Sequence, residues 1–558
     1  DEQIKNLEKE FYEMMVDKYF MPNSPTLMNA GTEMGNLSAC FVLPIDDNTE
    51  SIFEAVKQQA LIHRTGGGTG FSFSRLRPRN DVVKKTGGIA SGPVSFMQIF
   101  DKATDVIKQG GKRRGANMGI LRCDHPDIMD FIMLKEKDGM LSNFNVSVAI
   151  TDKFMKAVKE NKDYDLINPR TKKITGKLNA RAVWNLIITM AWKTGDPGVI
   201  FLDRINASES NPVPILGPIE STNPCGEQPL YPYDSCNLGS INLGKFVIEE
   251  EGKKIIDWIN LREIIRKSVW FLDNVIDANK YPLPQIDEIS KRIRRIGLGI
   301  MGWADMLILL GIPYNSEQAL KLAETIMHFI DKEGKEMSIE IAKKKGSFPE
   351  FERSIWKQRG YPTLRNSTIS TIAPTGTISI IADCSQGIEP HFAIGYMRNV
   401  GETLGTGENL IEITPIFEKI AIEEGFYSEE LMSKVLQSWS IQHIEEIPEK
   451  IRRVFVTAHD ISPEWHVRMQ AAFQKHCDNA TSKTINFASN ATPQDVEKAY
   501  ELAYATGCKG ITIFRDQSKS TQVITLAQPK EKTIEELKFK ESVDLFYTGE
   551  ANCPTCSI

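Results

Sequence analysis

The chain has 558 residues, 41% of them hydrophobic and 25% charged, as is typical of a soluble globular protein. No run of about 18 apolar residues occurs, so we expect no membrane span. The formal net charge of −6 argues against a nucleic-acid partner, which would need a basic surface. The charged N-terminus does not resemble a signal peptide, and nine scattered cysteines indicate a reducing cytoplasm rather than a disulfide framework.

Hydrophobic periodicity predicts an α/β fold. Residues 1–18 predict an amphipathic helix with Leu7, Phe11, Met14 and Met15 on one face. Short β-like runs and apolar helices then alternate up to about residue 525, which favours an α/β barrel. The clearest runs are 39–43, 144–150 and 454–457, and the clearest helices are 182–192, 264–276 and 91–107, the last with a Ser-Gly-Pro start.

The composition changes after Leu526, where the chain becomes polar and highly charged. We therefore predict an N-terminal helical segment (1–20), a central unit (21–526) and a flexible polar tether and tail (527–558). Cys553 and Cys556 form a Cys-x-x-Cys pair in this tail, a pattern typical of redox-active thiols. Half of a zinc site is the structural alternative, but no second such pair is present.

Asn223-Pro-Cys225-Gly-Glu227 is the segment most suggestive of catalysis. Pro224 and Gly226 bend the backbone around Cys225, which favours presentation of its thiol at a loop tip. If the loop is extended, residues two apart point the same way, so an amide, a thiol and a carboxylate would face one substrate. On spacing alone, a buried cysteine beside a turn is the commoner interpretation.

Two further segments suggest phosphate or anion binding. Pro374 to Thr377 predict a loop that opens a helix, where backbone N–H groups and small hydroxyl side chains suit a diphosphate. An ordinary capped helix start is the simpler alternative. Residues 108–115 form a Gly-rich basic loop after a helix, for which a solvated charged turn is the simpler alternative.

Two other motifs predict structure rather than function. Gly297-Leu-Gly-Ile-Met-Gly302 fits a dinucleotide-binding pattern, but a charged helix end precedes it, so close packing is the better interpretation. His125 and His391 lack partners at metal-ligand spacing, and we expect structural roles for both and no metal site.

Several motifs in one order carry a family resemblance. They are Pro22-Asn-Ser-Pro-Thr26, Gly66-Gly-Gly-Thr-Gly70, Gly110-Gly-Lys-Arg-Arg-Gly-Ala116, Asn223-Pro-Cys-Gly-Glu227, Cys236-Asn-Leu-Gly-Ser240, Ile372-Ala-Pro-Thr-Gly-Thr-Ile-Ser379 and Ser482-Lys-Thr-Ile-Asn486. Together they resemble the large chain of the ribonucleotide reductases, class II branch, from about residue 20 to 525. The resemblance implies a ten-stranded α/β barrel with a central finger loop.

The resemblance also implies residue roles for the reduction of ribonucleotides. Cys225 would become a thiyl radical that takes the 3′-hydrogen, Glu227 would accept the 3′-hydroxyl proton, and Asn223 would hold the substrate hydroxyls. Cys40 and Cys236 would be the reducing pair. The substrate would be held by Thr26, the Ala39 backbone, Pro374, Thr375, Gly376, Thr377 and Ser379.

Further partners follow from the same resemblance. Lys108, Gln109, Arg113 and Arg114 would contact a deoxynucleotide effector at a homodimer interface built on the 94–107 helix. The tail cysteines would pass electrons from a thioredoxin-like reductant to the internal disulfide. The dimer-type effector loop favours a diphosphate over a triphosphate substrate.

The implied radical source is adenosylcobalamin. No glycyl-radical motif occurs, and Gly510-Ile-Thr-Ile-Phe-Arg-Asp516 lacks the tyrosine pair that class I large chains use with a separate radical subunit. The histidine-on cobalamin signature is also absent, so no cobalamin contacts are predicted. Two alternatives are a class I-type large chain and a non-catalytic nucleotide-binding regulator of the same fold.

Overall fold

The computed structural model describes residues 2–83, 88–107, 115–137, 139–399, 409–516, 518 and 524–525. The strands in this part of the chain are β1 (Phe20–Pro22), β2 (Cys40–Val42), β3 (Gly68–Ser72), β4 (Val82–Val83), β5 (Gly88–Ile89), β6 (Asn117–Arg122), β7 (Phe144–Ile150), β8 (Asp163–Ile167), β9 (Ile174–Asn179), β10 (Gly198–Phe201), β11 (Ser221–Thr222), β12 (Pro229–Leu230), β13 (Ser235–Asn242), β14 (Val247–Glu250), β15 (Lys253–Ile256), β16 (Ile296–Met301), β17 (Gly395–Asn399), β18 (Asn409–Ile413), β19 (Thr484–Phe487), β20 (Gly510–Arg515) and β21 (Ile524–Thr525).

The helices surround the main sheet or link its strands. They are α1 (Glu2–Val16), α2 (Ser24–Asn29), α3 (Thr49–Arg64), α4 (Pro93–Val106), α5 (Ile128–Ile132), α6 (Asp152–Glu160), α7 (Ala180–Thr194), α8 (Leu202–Ala207), α9 (Trp258–Ala278), α10 (Pro284–Ile293), α11 (Trp303–Leu309), α12 (Glu317–Lys345), α13 (Ile355–Gln358), α14 (Ile378–Ile381), α15 (Pro415–Glu423), α16 (Glu429–Leu436), α17 (Glu449–Val454), α18 (Pro463–Gln474) and α19 (Pro493–Ala505). No helix within the described ranges is long and apolar enough to cross a bilayer.

A mixed ten-stranded sheet forms the centre of the molecule. Its strand order is β1-β13-β2-β3-β6-β7-β10-β20-β19, and β16 pairs in parallel with β13. The run from β2 to β10 is parallel, and α3, α4 and α7 lie in the connections between its strands, as parallel pairing requires. The fold is thus mixed α/β, as the periodicity predicts.

The two faces of the parallel strands pack against different cores. In β7, Val146 and Val148 belong to the large core that the helices cover. Ala149 belongs to a smaller cluster with Met118 and Ile120 of β6. Because alternate residues of a strand face opposite ways, the sheet has an outer face under the helices and an inner face.

An extended segment at 368–372 links two edges of the sheet. The Leu298 amide of β16 donates to the Ile369 carbonyl at 2.7 Å, and the Ile372 amide donates to the Ala480 carbonyl at 3.2 Å. The Ser482 amide returns a bond of 2.9 Å to the Ile372 carbonyl, just before β19 begins. The segment therefore connects β16 with the chain that leads into β19.

Predicted elements agree with the structure at most positions. The helix at 1–18 is α1, the run at 144–150 is β7, and the helix at 182–192 lies within α7, which ends at Gly195. The strand predicted at 454–457 is wrong, because α17 ends at Val454 and an irregular segment follows. Phe455 is fully buried there, and a short apolar run does not distinguish a strand from a buried helix end.

The glycines at 297–302 serve close packing, as predicted. A Cβ on Gly299 would lie 2.3 Å from the Thr371 carbonyl oxygen, so glycine lets β16 approach the 368–372 segment. His125 is also structural, since its Nε2 lies 2.9 Å from the Leu76 carbonyl and its Nδ1 accepts from the Asp127 amide.

A short hairpin of β11 and β12 lies against the sheet. Ser221 pairs with Leu230 and Thr222 pairs with Pro229, so residues 223–228 form its turn. Gly70 of β3 allows the close approach, because a Cβ there would lie 1.7 Å from the Thr222 carbonyl oxygen. The position of the hairpin therefore depends on Gly70 of β3 having no side chain.

Replacing this glycine should displace the hairpin. In Gly70→Ala, the new methyl group collides with the Thr222 backbone, which cannot move aside by a change of side-chain rotamer. We therefore expect the free energy of unfolding to fall by about 1–3 kcal/mol, measured by chemical denaturation. Gly176→Ala is the matched control, because its Cβ would only reach Leu166 Cδ1 at 3.8 Å. Equal unfolding midpoints for the two variants would contradict the proposed close contact.

Candidate active site

The hairpin turn places Cys225 at its tip. The Gly226 amide donates to the Asn223 carbonyl at 3.1 Å, which closes a β-turn with Pro224 at its second position. Gly226 has a φ of +81°, and Cys225 is exposed. The extended loop assumed from the spacing is therefore corrected to a tight turn, and Cys225 does not share the buried position of Asn223 and Glu227.

Buried hydrogen bonds hold the base of this turn. The Glu227 carbonyl accepts from Thr371 Oγ1 at 3.0 Å and from the Ala480 amide at 2.9 Å. The Asn223 side chain accepts from the Gln228 amide at 3.0 Å. The turn is thereby fixed to the segment that joins β16 and β19.

Asn223, Glu227 and Cys40 meet in the interior. Asn223 Nδ2 donates to Cys40 Sγ at 3.1 Å, and Cys40 Sγ lies 3.8 Å from Glu227 Oε1. The three residues are only 2–3% exposed. An amide, a thiol and a carboxylate in contact form a set able to hold and move protons around a substrate.

Cys236 lies across the strand pair from Cys40. β2 and β13 are antiparallel, and Cys40 and Cys236 are register partners. Such partners have Cα atoms about 4.5–5.5 Å apart, within the range of about 4.4–6.8 Å found in disulfides. Burial raises the pKa of the Cys236 thiol well above its ordinary value, so it stays protonated at neutral pH.

The predicted phosphate loop begins beside these cysteines. Ala373 packs in one small apolar cluster with Cys40 and Cys236. Thr375 has a φ of +55°, an unusual conformation for a β-branched residue, and its Oγ1 accepts from the Gly387 amide at 2.8 Å. As predicted, the loop opens a helix, since α14 starts at Ile378.

The remaining loop residues divide between surface and interior. Pro374, Gly376 and Thr377 are exposed, whereas Ser379 is buried. Two buried polar atoms, Ser379 Oγ and Asn23 Nδ2, have no hydrogen-bond partner among the described residues. Met21 and Ile378 belong to one apolar cluster, so the segments that carry Asn23 and Ser379 lie close together.

Thr26 and Ala39 have partners already. Thr26 Oγ1 donates to the Leu37 carbonyl at 2.9 Å. The Ala39 amide donates to the Cys236 carbonyl, and the Ala39 carbonyl accepts from the Gly68 amide at 2.8 Å. A ligand could still donate to the second lone pair of the Ala39 carbonyl or to the Thr26 hydroxyl oxygen.

Other predicted residues fall outside the described ranges or away from the site. Lys108, Gln109, Arg113, Arg114, Cys553 and Cys556 all lie outside the residues that the structure describes. His391 Nε2 lies 2.9 Å from Asp305 Oδ1, and Asp305 also accepts from the Ser385 amide at 2.6 Å. This arrangement fits the structural role expected for His391.

Two contacts of the hairpin were not predicted from the sequence. Thr371 bonds the Glu227 carbonyl, and Asn145 Nδ2 donates to the Pro224 carbonyl at 2.8 Å. Asn145 and Ser147 are polar residues two apart in an apolar strand, and this alternation was the available signal. Nothing local to Thr371 distinguishes it from its neighbours.

The fold is mixed α/β, and its site groups cysteine thiols around the buried carboxylate of Glu227, an arrangement suited to an enzyme. The sequence matches the family described as "Ribonucleotide reductase, barrel domain" over residues 38–514, and "Ribonucleotide reductase, all-alpha domain" over residues 1–35. The chain belongs to the ribonucleotide reductase family.

Similar proteins include two named "Vitamin B12-dependent ribonucleoside-diphosphate reductase". The one from Thermoplasma acidophilum is 55% identical over 98% of this chain and 71% of its own length. The one from Mycobacterium tuberculosis (strain H37Rv) is 46% identical over 92% of this chain and 71% of its own length. A solved structure, the "Actinobacillus ureae class Id ribonucleotide reductase alpha subunit", has a TM-score of 0.74 and 25% identity, covering 91% of this chain and 89% of that one.

The strand register makes a prediction about the buried thiols. Mild oxidation with diamide should link Cys40 to Cys236, because their register already brings the Cα atoms within disulfide range. Non-reducing peptide mapping identifies the product, and Cys40→Ser should leave Cys236 as a thiol. Cys123 and Cys508, which are also buried, are internal controls; a link from Cys236 to either would contradict the register.

Proposed function

We propose that the chain reduces ribonucleoside diphosphates to 2′-deoxyribonucleotides by a thiyl-radical mechanism that depends on adenosylcobalamin. The observation that carries this proposal is the exposed Cys225 at the tip of a turn whose base holds Asn223, Glu227 and Cys40 in contact. The names of the relatives from Thermoplasma and Mycobacterium support both the substrate class and the cofactor.

Each side chain of the site has its own role in the proposed reduction. Cys225, as a thiyl radical, takes the 3′-hydrogen, while Glu227 accepts the 3′-hydroxyl proton and Asn223 holds the hydroxyls. Cys40 and Cys236 supply two electrons and two protons: one proton leaves with the 2′-hydroxyl as water, the second hydrogen forms the new C2′–H bond, and the two sulfurs end as a disulfide. Cys225 then returns the hydrogen to C3′. The high pKa of Cys236 suits it to hold its proton until it is needed.

The tip of the turn has room beside it for a cofactor. A Cβ on Gly226 would meet no atom of the described residues within 4 Å, next to the exposed Cys225. When bound, adenosylcobalamin supplies a bond that breaks homolytically and generates the radical on the Cys225 sulfur. The hairpin's contribution is to expose this thiol on one side while Asn223 and Glu227 remain buried.

The substrate diphosphate is assigned to residues 374–379, with Thr26 and the Ala39 carbonyl beside it. The exposed Gly376 and Thr377 and the buried hydroxyl of Ser379 support this assignment. The effector remains assigned to Lys108, Gln109, Arg113 and Arg114 at a homodimer interface, and reduction by a thioredoxin-like protein to Cys553 and Cys556. The parts 1–20, 21–526 and 527–558 remain the proposed division of the chain.

The ten-stranded barrel with a central finger is part of the same proposal. Hydrogen bonds from residues 368–372 to β16 on one side and to residues 480–482 on the other support closure of the sheet. The hairpin of β11 and β12 would then be the finger. It contacts Gly70 of β3 and also Ala480, which lies in the segment before β19, and contacts with such separate parts of the chain are what a central position requires.

The class I alternative has one supporting observation, the structural similarity to the class Id alpha subunit. That protein is 25% identical to this chain, whereas the Thermoplasma and Mycobacterium relatives named as vitamin B12-dependent are 55% and 46% identical. The sequence 510–516 also lacks a tyrosine pair. A non-catalytic regulator would have no need for the complete set of Cys40, Asn223, Cys225, Glu227 and Cys236.

Anaerobic turnover tests the cofactor and the thiyl residue together. The protein with adenosylcobalamin, a ribonucleoside diphosphate and a dithiol should form deoxynucleotide without a second protein. Cys225→Ser should form none, because its hydroxyl does not yield a stable radical, while nucleotide binding by calorimetry stays unchanged. No product from the wild-type protein would overturn class II, and turnover by Cys225→Ser would overturn the thiyl assignment.

The base assignment predicts a separate kinetic effect. Glu227→Gln keeps the size of the side chain but removes the proton acceptor, so we expect kcat to fall about 10²–10⁴-fold with little change in KM. Glu336→Gln, on the exposed side of α12 beside Lys332, is the matched control. A Glu227→Gln enzyme within threefold of the wild-type kcat would exclude Glu227 as the base.

A further inference from the structure

Asn145 is the one residue of β7 that is exposed. The other strand residues, from Phe144 and from Val146 to Ile150, are buried. Asn145 alternates with Ser147 and Ala149, which places it on the inner face of the sheet, opposite Val146. Because Asn145 is exposed while its neighbours in β7 are buried, its side chain lies at the point where the inner face of the sheet is open to solvent.

The side chain of Asn145 bonds the hairpin tip rather than its base. Nδ2 donates to the Pro224 carbonyl at 2.8 Å, and this carbonyl belongs to the peptide group that connects Pro224 with Cys225. The contact therefore fixes the plane of the peptide immediately before the thiol-bearing residue. Rotation of that plane would swing the Cys225 side chain, since the peptide is rigid.

Asn145 acts on the tip together with the turn bond from the Gly226 amide to the Asn223 carbonyl, whereas the other hydrogen bonds described above act on the base. Thr371 and Ala480 bond the Glu227 carbonyl, and Gly68 packs against the Pro224 ring, where a Cβ would lie 2.8 Å from Cγ. A van der Waals contact with a ring limits approach but does not set a peptide orientation. Asn145, by contrast, reaches the tip at 224–226 with a side-chain hydrogen bond to its backbone.

The start of β7 is itself held firmly. The Asn143 amide donates to Asp101 Oδ1 at 2.9 Å, and Asn143 Nδ2 donates to the Asp101 carbonyl at 3.2 Å. The Asn117 amide donates to the Asn143 carbonyl at 2.9 Å. Asn145, two residues further on, thus acts from a support that is anchored to both α4 and β6.

We infer that Asn145 is a positioning residue for Cys225: its amide sets the orientation of the 224–225 peptide and so the direction from which the thiol sulfur reaches the substrate's 3′-hydrogen. This inference rests on the proposed function. Hydrogen transfer depends steeply on geometry, and a misplacement of about 1 Å costs about 10²-fold in rate. Asn145 acts through Cys225, so it should affect kcat rather than substrate affinity.

Asn145→Asp is the sharpest test, because it keeps the shape and removes the donor. We expect kcat to fall 10–100-fold with KM within threefold of wild type. With substrate deuterated at C3′, the isotope effect on kcat should be larger than in wild type, because hydrogen transfer becomes slower relative to other steps. Asn145→Ala should behave alike and excludes the new charge as the cause.

Asn274→Asp is the matched control for the same chemical change. Asn274 lies on α9, and its Oδ1 accepts from Lys345 Nζ at 2.8 Å. A carboxylate can take the place of this amide, so we expect wild-type kinetics for Asn274→Asp. A kcat of Asn145→Asp within twofold of wild type overturns the inference. So does a raised KM at unchanged kcat, which would make Asn145 a substrate-binding residue, or a lower kcat without a larger isotope effect.

Amide hydrogen exchange separates this inference from the proposed function. In the protein without ligands, exchange of the peptide spanning 223–228 should be at least threefold faster in Asn145→Ala than in wild type and unchanged in Asn274→Asp. If wild type forms no deoxynucleotide with adenosylcobalamin, the proposed function fails while this measurement still decides the contact. Equal exchange in Asn145→Ala and wild type overturns the inference.

Discussion

The hairpin at 221–230 must place polar backbone against the inner face of a sheet, and a buried carbonyl left without a donor costs about 1–3 kcal/mol. The rest of the site follows from how the chain meets this requirement. Thr371 and the Ala480 amide both bond the Glu227 carbonyl, so the hairpin needs the 368–372 segment beside it. That segment reaches its place only because Gly299 lets β16 come close to the Thr371 carbonyl. The loop at 374–379 is the direct continuation of the same segment, so one set of backbone contacts fixes both the turn that carries Cys225 and the proposed phosphate loop.

Burial separates the thiols into two kinds. Cys225 is exposed at the turn, whereas Cys40 and Cys236 are 3% and 1% exposed. Burial favours the neutral form of a thiol, and the raised pKa of Cys236 expresses this preference. The proposed radical site and the proposed reducing pair can therefore belong to one site, because the environments of these thiols differ although the functional group is the same.

The sequence predicts the local parts of this arrangement better than the long-range ones. Pro224 and Gly226 indicate a bent loop around Cys225, and the structure has a turn there. The spacing does not indicate that Cys40 touches Asn223 or faces Cys236, because these contacts depend on the register between β2 and β13. Only the family resemblance suggested the pair. Likewise, the apolar run at 454–457 has the composition of a strand, but the structure buries Phe455 in an irregular segment, so no strand is needed to remove this side chain from water.

Arg295 is one reason why so many polar side chains can be buried around the site. Its guanidinium is fully buried and donates to Asp234 at 2.9 Å and to the Asn479 side chain at 2.8 Å. Asp234 lies just before β13, which carries Cys236, and Asn479 precedes the Ala480 amide that bonds Glu227. Loss of one partner of such a pair costs about 3–5 kcal/mol, because it leaves an uncompensated buried charge. Through the ion pair with Asp234 and the hydrogen bond to Asn479, Arg295 therefore connects the strand that carries Cys236 with the segment that supports the turn at 223–228.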